Sequence, residues 1–217
     1  MKKIAIRIVF MICVLALLMP FNYNVSMAYS CGYKGDSFSD GYICCGNFHT
    51  FGHQYYLPSY ENKIHGLRLY SIESGFSEKS EEKINKAISA WNTQISKHNM
   101  TKYLSLSETN SNIQIYIKTG KLEKGTLGCT RFLNNSGGIV GTNSKGELKG
   151  SYSKTEIYLD ISSTVKKKTA AHEIGHALGL SHRLCNTKSI MYNFMNKDIE
   201  VSSPQNIDLN TIRHLYC

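Results

Sequence analysis

Residues 170–182 read AAHEIGHALGLSH and set His172, Glu173, His176, Gly179 and His182 within eleven positions. His172 and His176 are four residues apart, so a helix puts them one turn apart on one face. Both imidazoles can then reach a single ion at a Zn–N distance of about 2.0–2.1 Å. Glu173 stands beside the first of these histidines and leans toward the same ion without having to bind it. A carboxylate there can take the proton from a zinc-bound water and later pass it to a leaving amine, while zinc acidifies that water and polarises the scissile carbonyl. Two ligands on one helix do not complete a three-ligand site, so the chain has to turn back sharply. Gly179, three residues after His176, can take a left-handed conformation and end the helix at little steric cost. His182 then returns as the third ligand. The competing reading is a core helix whose histidines are satisfied by hydrogen bonds. Three histidines and a glutamate at ligand spacing, in a helix otherwise made of Ala, Ile, Leu and Gly, weigh against it, because such groups are costly to bury without partners.

The 217-residue chain opens with a basic stretch (Lys2, Lys3, Arg7), an apolar run from Ile8 to Met19 and a small-residue approach, Ser26-Met27-Ala28. That layout predicts a secretory signal over residues 1–28, cleaved after Ala28. The apolar run is short for a bilayer span, which takes about 20 residues. No second strongly apolar segment follows, so no other membrane span is expected. What remains is long enough for one domain with its own core. The formal net charge is +9, and three of the basic residues lie in the leader. The modest excess left over suits solubility or an anionic surface and does not argue for nucleic acid. Lys166, Lys167 and Lys168 read as a solvated face, with steering of an anionic substrate as the alternative.

Cys13 belongs to the leader, leaving Cys31, Cys44, Cys45, Cys129, Cys185 and Cys217. An even number in an exported chain predicts three disulfides. The sequence does not choose among pairings beyond a lean toward Cys185 with Cys217. No C-x-x-C pair occurs, which disfavours a zinc–thiolate cluster. Residues 29–65 are rich in Gly, Tyr, Phe and Cys without helical period, and read as a loop-rich segment held by disulfides, or as a short pro-segment. His49 and His53 within it read as surface or packing residues.

From Gly66 the periodicities sharpen. Leu67 to Ile72 alternate as a strand. Ser77 to Glu81 open a helix with acids in its first turn, followed by an apolar stripe of Ile84, Ala87, Ile88, Trp91 and Ile95. Strands are expected at Asn112–Ile117, at Thr126 to Leu133 and at Glu156–Leu159. The histidine motif then lies on a helix opening near Ser163 or Thr164, and a last helix runs from about Pro204 to Tyr216. This order predicts an α/β or α+β domain with one core.

The pattern H-E-x-x-H-x-x-G-x-x-H resembles that of the metzincin zinc endopeptidases, which also carry a methionine turn below the metal. Ser189-Ile190-Met191-Tyr192 supplies such a methionine. Within that group the chain is most similar to the matrixins over roughly Gly66 to Tyr216. The resemblance implies an α+β domain over residues 66–217: a twisted mixed sheet packed on helices, an active-site helix, a Met-turn and a C-terminal helix. It implies a catalytic zinc on His172, His176 and His182, Glu173 as general base, Met191 as the floor of the site and Gly179 at the turn. It also implies an extended substrate added to a sheet edge near Thr126–Thr130, with Tyr192, Asn193 and Phe194 walling a side-chain pocket. Asn193 stands two after the methionine, where some relatives place a tyrosine ligand, so no tyrosine ligand is expected. Arg183 replaces the serine usual in matrixins. Residues 99 to 171 contain no histidine, so the structural zinc of the animal members is not carried over. Calcium ligation through Glu147, Glu156 and Asp160 is not supported by such sparse acids.

The expected protein is therefore a secreted, monomeric zinc endopeptidase acting on extracellular protein or peptide. The alternatives are a secreted binding module or toxin subunit with a vestigial zinc site, and a zinc enzyme with a non-peptide substrate.

Overall fold

The computed structural model describes residues 28–30, 37–39, 50–51, 66–144, 146–183, 188–192 and 201–216. Expectations for the leader up to Met27, for His49 and His53, for Asn193 and Phe194, and for a Cys185–Cys217 bridge fall outside those residues. Strands β1 (Ala28–Ser30) and β2 (Ser37–Ser39) form a separate antiparallel pair. The main sheet holds β3 (Leu67–Ile72), β4 (Ser105–Glu108), β5 (Ile115–Gly120), β6 (Gly128–Leu133) and β7 (Lys154–Asp160) in the order β4-β3-β5-β7-β6. Four of the five run parallel, and β6 pairs antiparallel with β7 at one edge. Helices α1 (Glu78–Lys97), α2 (Lys167–Ala177) and α3 (Asn206–Tyr216) complete an α+β fold.

Helix α1 forms where its sequence places it. Ser77 caps it, accepting from the Ser80 N–H at 3.3 Å, and Glu78 and Glu81 sit at the positive end of its dipole. Ile84, Ala87, Ile88, Trp91 and Ile95 are all buried, so the apolar stripe is the packing face. Trp91 is fully buried and its indole Nε1–H donates to the Ala171 carbonyl at 2.9 Å, joining α1 to the middle of α2.

Several elements depart from expectation, among them β1 and β2, which lie where a loop-rich segment is expected. Strand β4 was not foreseen: SLSE contains one apolar residue, Leu106. Its place is set from outside by Asn92 of α1, whose amide both donates to and accepts from the Leu106 backbone at 2.9 Å. Helix α2 opens at Lys167 rather than near Ser163 or Thr164. The chain before it is held unwound, because the Val165 N–H donates to Ser80 Oγ at 3.1 Å. Strand β5 starts at Ile115 rather than at Asn112, which takes a left-handed φ of 53° as part of the preceding turn. In β3 the residues turned to the core are Arg68 and Tyr70, while Leu67 and Leu69 stand half-buried on the other face.

Trp91→Phe removes both ring volume and the donor to Ala171. It should lower unfolding stability by about 2–3 kcal/mol, read by urea denaturation, since a cavity and an unmatched buried carbonyl act together.

Candidate metal centre

Every residue of α2 from Thr169 to Ala177 is buried. The helix ends abruptly. Gly179 has φ +96°, the Gly179 N–H donates to the His176 carbonyl at 2.8 Å, and the Leu180 N–H donates to the Gly175 carbonyl at 3.0 Å. Those two bonds and the left-handed glycine make a Schellman motif. The chain therefore reverses within two residues, as the glycine in the sequence predicts, and carries His182 back over the helix.

The reversal brings the three histidines together. His172, His176 and His182 are 8%, 5% and 4% exposed, and their ligand nitrogens lie within 4.8 Å of one another. His172 Nδ1 is 2.8 Å from the Ile190 carbonyl, and His176 Nδ1 is 2.7 Å from the Leu180 carbonyl. A carbonyl only accepts, so the hydrogen bonds assign the proton of each ring to Nδ1 and leave Nε2 as a bare acceptor. Both Nε2 atoms face Nε2 of His182, at 3.0 and 3.1 Å. A single N–H on His182 cannot point at both, so lone pairs would crowd one another in a buried site. A cation at their convergence removes that conflict. Two nitrogens on a tetrahedral zinc stand about 3.4 Å apart, close to the spacing seen, so the three residues fit such an ion. Fixing the far nitrogen on a carbonyl is also how metal-binding histidines are oriented.

Glu173 is 6% exposed and lies under the edge strand β6. Thr130 Oγ1 stands 2.8 Å from Glu173 Oε2, and also 3.1 Å from the Glu173 carbonyl. A Cβ on Gly128 would fall 2.7 Å from Glu173 Cγ and 2.8 Å from Oε1. Two residues of β6, spaced by two and so on one face, thus cradle the carboxylate: one by a hydroxyl, the other by having no side chain. Sequence reading placed the edge strand but missed both roles. The partnership is 43 residues distant in the chain.

Below the helix, Met191 is fully buried. A Cβ on Gly175 would meet its sulfur at 2.3 Å and Trp91 Cζ2 at 3.3 Å. The methionine turn is closed by the Tyr192 N–H on the Ser189 carbonyl at 3.2 Å. It is braced by Asp208, itself fully buried, which accepts from the Ile190 N–H at 3.0 Å and from the Ser189 hydroxyl. Tyr192 is half-buried at the end of the turn. At Arg183 the backbone N–H donates to the Met191 carbonyl at 2.9 Å, a contact any non-proline residue there could make. Glu156, one of the acids considered for calcium, is paired with Lys118 at 3.1 Å.

Gly175→Ala should be destabilising even though alanine is the better helix former by about 1 kcal/mol. The new methyl has to displace Met191, and overpacking of this kind costs about 1–3 kcal/mol. The expected outcome is a lower melting temperature together with weaker zinc retention, because Met191 and the Ile190 carbonyl that holds His172 share one turn.

A matrixin family profile matches residues 67–217, the span from β3 through the end of α3. No curated protein matches the chain. Among solved structures, metalloproteinase-II from Bacteroides fragilis is similar at a TM-score of 0.40 and 12% identity, over 75% of this chain and 57% of that one. The present chain thus corresponds to little more than half the length of that protein. With the profile covering more than half of the sequence and including all three histidines, the chain belongs to the matrixin family of zinc metallopeptidases.

Proposed function

We propose that the protein is a secreted zinc-dependent endopeptidase that cleaves extracellular proteins or peptides, with His172, His176 and His182 as the metal ligands and Glu173 as general base. The observation that carries this reading is the Glu173 carboxylate, buried and held by Thr130 one residue from a converging histidine triad. A carboxylate kept in that place without a chemical task would be an unrewarded desolvation cost.

When bound, zinc supplies Lewis acidity toward water and toward a carbonyl oxygen. The protein's own groups do the rest. Thr130 donates to one oxygen of Glu173 and fixes the plane of the carboxylate. Glu173 takes the proton of the attacking water and delivers it to the departing amine nitrogen. His172 and His176, locked by the Ile190 and Leu180 carbonyls, keep Nε2 aimed at the ion. Strand β6 is the sheet edge nearest this carboxylate, and an extended substrate could add to it by main-chain pairing. By the family resemblance, Tyr192 would help to wall a side-chain pocket. Secretion is supported by the leader-like residues 1–28 and by the even number of cysteines that follow them, which suits an oxidising compartment. Among the described residues no helix is long and apolar enough to cross a membrane.

The test is cleavage of unfolded protein by the purified, exported protein, with and without a zinc chelator, beside Glu173→Ala. The variant should keep zinc and lose about 10²–10⁴-fold in rate. Zinc-loaded wild type that cleaves nothing sinks the endopeptidase reading, while equal rates for both proteins sink the role of Glu173. Thr130→Val, which keeps shape and loses the hydroxyl, should lower kcat by about 10–100-fold with KM little changed, as small misplacements of reacting groups do. Thr130→Ser should recover most of that loss; no recovery would mean the hydroxyl is not what matters.

A further inference from the structure

Of the described residues upstream of the matrixin match, Thr50 and Phe51 touch the candidate metal centre. Thr50 forms an antiparallel bridge with Leu180, the residue whose carbonyl fixes His176. The Phe51 N–H donates to the Gly179 carbonyl at 3.3 Å, and the Phe51 carbonyl accepts from the Leu148 N–H at 2.9 Å. The Phe51 ring is 1% exposed. It stands 5.6 Å from the His176 ring and 4.9 Å, edge to face, from Phe132 of β6. Phe132 in turn packs edge to face at 4.9 Å on Tyr152, whose hydroxyl donates to the Ala177 carbonyl at 3.3 Å. This short piece of chain is therefore seated between the edge strand, the β6–β7 connection and the helix-ending turn.

We propose that Phe51 is a positioning residue of the metal centre, acting through His176, and that the chain from Thr50 onward belongs to the working enzyme and is not a removable pro-segment. Thr50 and Phe51 pair through their backbones with Leu180 and Gly179, in the turn that ends α2 and supplies the partner of His176 Nδ1. The ring packs at a tilt against the imidazole, and the bridge holds Leu180 where its carbonyl meets Nδ1. Without them Gly179 and Leu148 lose backbone partners, and the His176 ring loses the wall that fixes its plane. The inference rests on reading the three histidines as a metal site and is independent of whether the substrate is a peptide.

The test uses the exported full chain with Phe51→Ala, Phe51→Leu and Leu106→Ala. Leu106 lies on β4, four strands from β6 and so about 19 Å away at the usual strand spacing. Zinc affinity is measured by chelator competition, and the ligand field by the visible absorption of the cobalt-substituted protein. Phe51→Ala should weaken zinc by about 10-fold, as loss of a residue orienting a ligand does, and shift the cobalt bands. Phe51→Leu, which keeps volume but not the ring face, should fold and show the same changes to a smaller degree; it decides the matter if the alanine variant does not fold. Leu106→Ala should lower the melting temperature and leave both readouts unchanged. N-terminal sequencing of the zinc-loaded secreted form should find a start before Thr50. Wild-type affinity and spectrum in a folded Phe51 variant, equal zinc loss in Leu106→Ala, or a zinc-loaded form beginning beyond Phe51 would each overturn the proposal. Failure of the wild type to bind zinc would instead overturn the metal reading beneath it.

Discussion

The hydrogen bond from the Leu180 N–H to the Gly175 carbonyl, 3.0 Å long, closes the end of α2, and much of the site is referred to that closure. It requires a left-handed residue at Gly179, which costs glycine nothing and costs any residue with a Cβ about 1–2 kcal/mol. Once the turn is made, the Leu180 carbonyl points at His176 Nδ1, the Gly179 carbonyl is presented to Phe51, and His182 comes back over the helix it has just left. A helix allowed to run on by one more turn would carry Leu180 and His182 along its own axis. The third imidazole could not then face the first two.

That helix does little to hold itself together. Its N-cap, Lys166, makes no side-chain capping bond, its first turn holds Lys167 and Lys168 at the positive end of the dipole, and Gly175 sits in its interior. Burial and the charge of Lys166 both push the Lys168 ammonium below its ordinary pKa. Stability comes from the neighbours. Trp91 reaches the Ala171 carbonyl, Thr130 reaches Glu173, and the strands β6 and β7 cover the upper face. A helix that buries two histidines of the cluster and the glutamate has to be supported this way, because each buried polar atom needs a partner that the helix cannot provide.

This explains what was legible from the residues and what was not. The stripe of α1 and the histidine spacing are periodic over a few turns, so they can be read locally, and the turn at Gly179 follows from the need to bring back His182. The partners of His172 and His176 are backbone carbonyls, which any residue type supplies, so nothing in the identity of Ile190 or Leu180 marks them. Arg183 shows the converse: a side chain unlike the family's stands there, and the contact to Met191 is made by its backbone. Gly128 and Thr130 matter because of strand register and the approach of α2, both set by distant pairing. The burial of Arg68 and Tyr70 in β3, rather than Leu67 and Leu69, has a similar origin. The Arg68 guanidinium lies 4.9 Å from the centroid of the Tyr216 ring, so part of what meets the buried side of that strand comes from α3, far along the chain.

Helix α3 is more than a terminal cover. Near its start, the Asp208 carboxylate accepts from the Gln205 N–H at 2.9 Å, as the third residue of a capping box does, and the same carboxylate braces Ile190 and Ser189. Three donors around one fully buried carboxylate offset its loss of water. Ile190 then presents its carbonyl to His172. At the other end of α3 the Tyr216 hydroxyl donates to the carbonyl of Leu178, the C-cap of α2, at 2.8 Å. One helix therefore grips the ligand arc at both ends, on the His172 side through the methionine turn and on the His176 side through the helix terminus. A chain lacking α3 would keep every ligand and the glutamate, yet would lose the contacts that hold the first two imidazoles in register. The arrangement of the three-histidine cluster is for this reason a property of the fold out to Tyr216, although the histidines themselves span only eleven residues.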